Sequence, residues 1–407
     1  MPMTRDEMIA LFHIGVAAAD PEAAVRASLK ATPLPAHDRL FIAAFGKAAC
    51  AMTRAALSVL PAPERALVVT NYENASPLDG AEVLAAGHPV PDDNGLRAGH
   101  TMMSMLEDAS AGDGVLVLVS GGGSALLPAP VEGVSLAQKA EISRLLLGAG
   151  LDIVAMNAVR QQLSRLKGGG MLRHASPAKV TALILSDVIG DDLRAIASGP
   201  TVAPILPRGE VVEMLKARGL WDELPAGAQR ALGRPEDAAP EHSAENRLIG
   251  SNRKSLEAIC AARPDARILS DALTGDVGQA AQEIVDALDH KMPAALFGGE
   301  TTVRLRGTGR GGRNQELALR VAMALEGRAG WRFLSAGTDG RDGPTDAAGA
   351  IVDGETCARI RAAGGDPAAL LSNNDSYDAL RLSRDLLITG GTGTNVADLQ
   401  ILSAEGV

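Results

Sequence analysis

Aromatic side chains are nearly missing from this sequence: Phe, Trp and Tyr make up only 2% of its 407 residues. A core here must be built from Ala, Val, Leu and Ile. The 45 glycines fall mostly in short clusters between apolar runs, a pattern usual in α/β proteins. Cysteine is as scarce. Cys50, Cys260 and Cys357 are far apart and lack paired or His-adjacent spacing, which argues against a disulfide framework or a structural zinc site. They suit a reducing compartment and read as small core residues. No long tract carries charge of one sign, although the formal net charge is -10. That argues against a sequence-independent nucleic-acid binder, makes any anion site local and favours work on small molecules. With 46% hydrophobic and 22% charged residues, disordered and fibrous classes are out, and the length is enough for two domains.

Two segments imitate export or membrane signals. Ile9 to Ala19 is almost wholly apolar, but Arg5 is offset by Asp6 and Glu7, and Thr4 with Glu7 has the spacing of a capping box, which predicts an amphipathic first helix. The uncharged run from Gly114 to Val131 approaches the length of a span, yet Gly121 to Gly123 interrupt it and Pro128 and Pro130 end it. No membrane association is expected, and the expected compartment is the cytoplasm.

Short apolar runs suited to buried strands alternate with helix-length segments: Leu40 to Phe45, Ala66 to Thr70, Val115 to Val119, Val180 to Leu185, Arg267 to Leu269, Ala294 to Phe297 and Phe333 to Ala336. This alternation predicts an α/β fold with a largely parallel sheet covered on both faces. Between Leu224 and Asn246 the pattern lapses into Pro, Ala, Gly and charged residues, so a domain boundary is placed there, with domains 1–235 and 236–407.

Three features carry chemistry. The run Val115 to Val119 opens into Ser120, Gly121, Gly122, Gly123 and Ser124, where backbone N–H groups can surround a phosphate; a capped tight turn explains the same letters. Residues 151–167 read as a helix with an apolar stripe (Ile153, Met156, Val159, Leu163, Leu166) and a polar one (Asn157, Arg160, Ser164, Lys167) that has donors and cations but no acid. Lysine is rare, the other 31 of 39 positive residues being Arg, and Lys47 stands after Gly46 at the end of a strand, where open α/β sheets place ligands.

Thr301 to Arg306, read as a strand with one exposed face, leads into Gly307, Gly309 and Gly312 with the spacing GxGxxG. That reading rejects a dinucleotide fingerprint, because such a first strand is buried on both faces. Arg304, Arg306, Arg310 and Arg313 suit phosphate or carboxylate oxygens instead. Acids gather beside glycines at Asp187, Asp191 and Asp192, at Glu300, and at Asp339, Asp342 and Asp346, where one or two carboxylates could hold hydrated Mg²⁺ or make Asx turns.

Taken together, the segments G-K-A-A at Gly46 to Ala49, S-G-G-G-S-A-L at Ser120 to Leu126, N-A-V-R-Q-Q-L-S-R-L-K-G-G at Asn157 to Gly169 and L-S-D-V-I-G-D-D at Leu185 to Asp192 resemble the glycerate 2-kinases whose C-terminal part is the MOFRL domain. So do G-G-E-T-T-V at Gly298 to Val303, G-R-G-G-R-N-Q-E at Gly309 to Glu316, A-G-T-D-G-R-D-G-P-T-D at Ala336 to Asp346, N-D-S-Y at Asn374 to Tyr377 and T-G-T-N-V at Thr392 to Val396. The resemblance implies two α/β domains, the larger Rossmann-like with a mainly parallel sheet, and an active-site cleft between them. It implies ATP-dependent, Mg²⁺-dependent phosphorylation of D-glycerate at the 2-hydroxyl, giving 2-phosphoglycerate and ADP. The family's catalytic Lys and Arg would fall on Lys47 and Arg313.

On that basis Lys47, Arg313 and Asp187 are the candidate catalytic residues, with Asp339 and Asp342 as equally framed alternatives for the base, and Ser120, Gly121, Gly122, Gly123 and Ser124 the candidate phosphate loop. Asn157, Arg160, Lys167, Glu300 and Asp339 are candidate substrate contacts, with Asp187 and Asp192 as metal ligands. The partners are glycerate and ATP, with no nucleic acid or membrane, and a homo-oligomer is left open. The competing readings are an NAD(P)H-dependent hydroxypyruvate reductase and a non-catalytic ligand-binding protein.

Overall fold

The computed structural model describes residues 1–237, 240, 242–290 and 292–405. The chain divides into two compact units. Pro21–Ser186 with Asp191–Ile249 make one, called here the parallel unit; Met1–Asp20, Asp187–Gly190 and Gly250–Val407 make the other, the mixed unit.

In the parallel unit, β1 (Leu40–Phe45), β2 (Arg65–Asn71), β3 (Glu82–Ala86), β4 (Gly114–Val119), β5 (Lys179–Leu185) and β6 (Glu245–Gly250) lie in the order β3-β2-β1-β4-β5-β6. All six residues of β1 are buried, as are Val115 to Val119 of β4, because helices cover both faces of a parallel sheet. β1 pairs in parallel with both β2 and β4, Leu40 facing Gly114 and Phe45 facing Val119. This is the doubly wound order, in which the direction of strand addition reverses between β1 and β4. Sheets of this order bind ligands at the carboxyl ends of those two strands.

The mixed unit contains β7 (Ala266–Asp276), β8 (Ala294–Thr302), β9 (Trp331–Gly337), β10 (Gly349–Asp353), β11 (Leu386–Leu387) and β12 (Asp398–Ala404), in the order β11-β10-β9-β12-β8-β7. Here the expected parallel pattern fails: only β7 and β8 run parallel, and β12 is inserted antiparallel to both β8 and β9. Strand-sized apolar runs specify burial but not direction, so this difference is invisible in sequence. One face carries Leu296, Leu334, Leu399 and Ile401, covered by the helices Arg5–Ala17 and Asn252–Ala262; the other carries Phe297, Phe333 and Leu402, covered by Val277–Asp286 and Arg313–Ala324. All five Phe side chains are among the largest fully buried groups, so phenylalanine is spent on the core.

The units differ from a cut at 235/236. Thr4 and Glu7 form the expected capping box, and the helix they start sets Met8, Leu11, Phe12 and Val16 against Leu256, Ile259 and β12, which draws the first twenty residues into the mixed unit. Within the stretch expected to connect domains, Ala226–Leu232 is a helix whose Ala228, Ala231 and Leu232 enter the core of the parallel unit, and β6 extends its sheet. Residues 238, 239 and 241 of that stretch lie outside the described residues. The segment 114–131 is β4 followed by a turn and the short helix Gly123–Leu126, and no single helix among the described residues is long and apolar enough to cross a membrane.

Candidate active site

Two groups of candidate residues take shape, one in each unit. In the parallel unit they gather at the ends of β1 and β4. Gly46 has φ +120°, and a Cβ there would lie 2.2 Å from Ser120 Oγ, so only glycine lets the two loops meet. Lys47 N donates to Gly121 O at 2.9 Å, and Ala48 N donates to Ser120 Oγ at 3.0 Å, just before the helix Ala49–Val59. Lys47 thus precedes the helix instead of entering its first turn. Gly122, at φ +83°, is backed by His88 and Lys47: a Cβ would come 3.0 Å from His88 Cδ2 and 3.4 Å from Lys47 Cγ. Burial, then the charge of Lys47, lowers the His88 pKa, so a neutral imidazole lines this loop.

The expected helix over 151–167 is shorter. It runs Ile153–Gln162, and Ile153, expected on the apolar stripe, is exposed. After Gln162 the chain turns to pair with residues 129–131, Arg165 N donating to Ala129 O at 2.8 Å and Val131 N to Leu163 O at 3.3 Å. Asn157 and Arg160 therefore share the helix, while Ser164 and Lys167 belong to the turn beyond it. Helical spacing continued on paper because nothing local records the pull of a neighbouring strand-like segment.

Lys167 nonetheless reaches the phosphate-loop candidate: its Nζ donates to Ser124 O at 2.9 Å and to Ser124 Oγ, whose hydroxyl also meets Ser198 Oγ at 2.9 Å. The ammonium is 4% exposed as a residue, and burial, followed by the charges of Lys139 and Arg160, holds its pKa well below the ordinary lysine value. No carboxylate among the described residues acts on these cations. Asp192, also in this unit, gives both carboxylate oxygens to Arg194, at 3.0 Å from Nε and 2.9 Å from Nη2. Its availability as a metal ligand is reduced accordingly.

In the mixed unit the organising residue is Arg313, the first residue of the helix Arg313–Ala324. Its Nε donates to Asp398 Oδ2 at 2.6 Å, its Nη2 to Asp398 Oδ1 at 2.9 Å, and its Nη1 lies 2.8 Å from Glu300 Oε1. Burial alone would lower the Arg313 pKa, but the bonds and charge of Asp398, with Glu300, raise it, so the guanidinium stays charged. Glu300 follows Gly298 and Gly299 within β8, and Gly299, at φ +148°, has no room for a Cβ beside Leu273 O. Burial raises the Glu300 pKa; Arg313 opposes this, and the carboxylates of Asp398, Asp187 and Asp339 add to it. Asp342 accepts backbone N–H bonds from Asn314 at 3.1 Å and Gln315 at 2.8 Å, capping the helix, and burial pushes its pKa up to about 6. Asp339 Oδ1 accepts from Arg341 N at 3.0 Å, an Asx turn that leaves its second oxygen to other partners.

The segment read as a strand to Arg306 ends at Thr302, and Arg304 and Leu305 are exposed in the loop that follows. The G-x-G-x-x-G spacing has a packing cause. A Cβ on Gly307 would strike Asn373 O at 2.3 Å, one on Gly309 would meet Asp375 Cβ at 2.4 Å, and one on Gly312 would meet Asp342 at 2.2 Å. Asn374 Oδ1 accepts from Arg306 N and Gly307 N, and Asp375 Oδ1 from Arg310 N, so the N-D-S-Y segment holds this loop in place of a dinucleotide. Glu316 pairs with Arg320 one helical turn on, and it is buried and also bonded to Asn374.

Three participants escaped sequence reading. Asp398 follows the T-G-T-N-V segment but pairs 85 residues upstream, a relation no spacing encodes. His88 carries no motif. Lys139 stands in a helix outside every motif, although its position three before Ile142 and seven before Leu146 places it on that helix's buried stripe.

A doubly wound α/β unit with a cationic, glycine-lined loop at its strand ends, and a second unit with an arginine held among carboxylates, belong to the class of α/β enzymes. Comparison with known proteins narrows the class. Residues 7–233 match the family described as Domain of unknown function (DUF4147), and residues 293–398 match the MOFRL family. The chain is 43% identical over 398 residues to D-glycerate 2-kinase of Thermotoga maritima, covering 94% of each. A relative from Agrobacterium vitis, 39% identical with 96% of this chain and 92% of its own covered, carries a hydroxypyruvate reductase label. The crystal structure of glycerate kinase from Thermotoga maritima superposes with a TM-score of 0.91 at 40% identity, over 98% of both chains. The chain belongs to the glycerate kinase family that carries the MOFRL domain.

Proposed function

We propose that this protein transfers the γ-phosphoryl group of ATP to the 2-hydroxyl of D-glycerate, giving 2-phosphoglycerate and ADP. The observation that carries this reading is the placement of Lys47 and the Ser120–Ser124 loop together at the strand-order reversal of the parallel sheet, with cations and backbone donors but no acid around Lys167. The reductase reading loses its one sequence feature, because the glycines of 307–312 serve contact with 373–376 and Asp342.

Phosphoryl transfer asks mainly for positioning and charge neutralisation. The glycerate O2 attacks the γ-phosphorus, the bond from that phosphorus to the bridging β-phosphate oxygen breaks, ADP leaves, and the hydroxyl proton passes to a carboxylate, for which Asp187 is our assignment. Lys47 and Arg313 stabilise charge on the transferred group, the 120–124 loop gathers phosphate oxygens, and Asn157, Arg160, Lys167, Glu300 and Asp339 orient the substrates. Asp398, Asp187 and Asp339 act on Glu300 against the one cation Arg313, an excess of negative charge that fits a divalent cation. Asp187 with Glu300 or Asp339 would hold Mg²⁺, which keeps most of its waters and needs only one or two carboxylates; Asp192 is the weaker ligand, being bound to Arg194. When bound, Mg²⁺ supplies neutralisation of phosphate charge.

A coupled assay of ADP release with D-glycerate tests the reading. ATP- and glycerate-dependent ADP formation is expected, with no NADH oxidation by hydroxypyruvate. The reverse pattern would replace the kinase by the reductase.

A further inference from the structure

Lys139 is 8% exposed, and its Nζ has no hydrogen-bond partner among the described residues. It lies in the helix Leu136–Gly148 on the same stripe as buried Ile142 and Leu146, which pack with Val159 and Met156 of the helix bearing Arg160. The charge that bears on it, across the packing of these two helices, is a cation: Arg160 acts on Lys139, and both act on Lys167. Lys167 itself is satisfied only by the neutral oxygens of Ser124.

Burying an ammonium without a partner is costly, and an apolar residue would fill the stripe at no such cost. Packing of the lysine stem accounts for the methylenes but leaves the nitrogen unexplained. No acid among the described residues acts on Lys139, Arg160 or Lys167, so the single charge of a carboxylate would leave the group cationic, and a phosphate with at least two negative charges supplies more.

We propose that Lys139, Arg160 and Lys167 together form one anion seat beside Ser124 that takes a multiply charged phosphate group, with Lys139 as the member that sequence motifs do not reveal. The seat deepens the kinase reading and rests on it for the source of the phosphate, either the nucleotide chain or the phosphoester of the product. It assigns the glycerate carboxylate elsewhere.

The test is calorimetric titration of the full chain and of Lys139→Met with inorganic triphosphate, ADP, 2-phosphoglycerate and D-glycerate, with Lys139→Gln as a second variant should the first fail to fold. The variant is expected to weaken at least one phosphate ligand about tenfold or more, and to leave D-glycerate unchanged. Weakening of triphosphate and ADP assigns the seat to the nucleotide; weakening of 2-phosphoglycerate alone assigns it to the product. A loss confined to D-glycerate, unchanged affinity for every phosphate, or a parent protein that binds none of them overturns the proposal. These titrations need no turnover. Triphosphate bound through Lys139 in a protein that releases no ADP with D-glycerate would keep the seat and remove the kinase.

Discussion

Arg313 grips Asp398 with two parallel hydrogen bonds, 2.6 and 2.9 Å, while Asp398 is 1% exposed. The pair joins the start of a helix to the start of the central strand β12, and the same guanidinium extends to half-exposed Glu300. Arg313 is therefore held by Asp398 at one edge, and at the other it meets Glu300 and stays partly exposed, the side on which we propose that it faces the transferred group.

Arg313→Ala removes both functions and strands a buried carboxylate. A loss of about 3 kcal/mol in urea-unfolding free energy is expected, at the low end for a buried pair because Arg313 is partly exposed. Arg313→Lys retains charge but not the planar fork, so kcat should fall about a hundredfold with little change in Km. A raised Km with normal kcat would instead assign Arg313 to ground-state binding of glycerate.

Asp342 gives a pH signature. Its folded pKa of about 6 lies above the ordinary 3.8, so protonated Asp342 belongs to the fold; the stability this confers is complete below pH 4 and is lost as pH rises to 6. The gap corresponds to about 3 kcal/mol. Asp342→Asn cannot ionise, so the stability of the parent relative to this variant should decline between pH 4 and 6 and stay level above. A pH-independent difference in urea midpoints would refute the assignment.

Lys139 behaves in the opposite sense. Burial, then Arg160, lowers its pKa from 10.5 to about 8, so the cost of charging it is full below pH 8 and gone above about pH 10.5. Without phosphate, Lys139→Met should be more stable than the parent by about 3 kcal/mol at pH 7, the gain shrinking as pH rises from 8. Thermal unfolding across that range measures it, and a destabilised variant at pH 7 would contradict the buried-cation reading.

Lys47→Ala should leave the unfolding transition in place and remove most turnover, because the lysine follows the strand end without an ion pair among the described residues. Gly122→Val should cost about 1–3 kcal/mol, since φ is +83° there and the new side chain would press on His88 and Lys47. It should also raise the Km for a phosphate-bearing substrate. Unchanged kinetics in folded Gly122→Val would make 120–124 a plain turn.

What the sequence determined by itself is local and repetitive. Leu40–Phe45 matches β1 end to end, and the strands at 114–119 and 179–185 are one residue longer than read, because uninterrupted apolar runs bounded by glycine or charge have few other uses. The Thr4–Glu7 cap and the glycines beside Lys47 were legible for the same reason: their causes lie within a few residues. Tertiary structure alone decided the rest. The antiparallel insertion of β12, the early end of the helix at Gln162, the Arg313–Asp398 pair and the burial of Lys139 depend on segments far apart in the chain. Side-chain spacing records which face of an element is apolar, but it carries no information about which distant surface will cover that face, or about which charge will be left there without a partner.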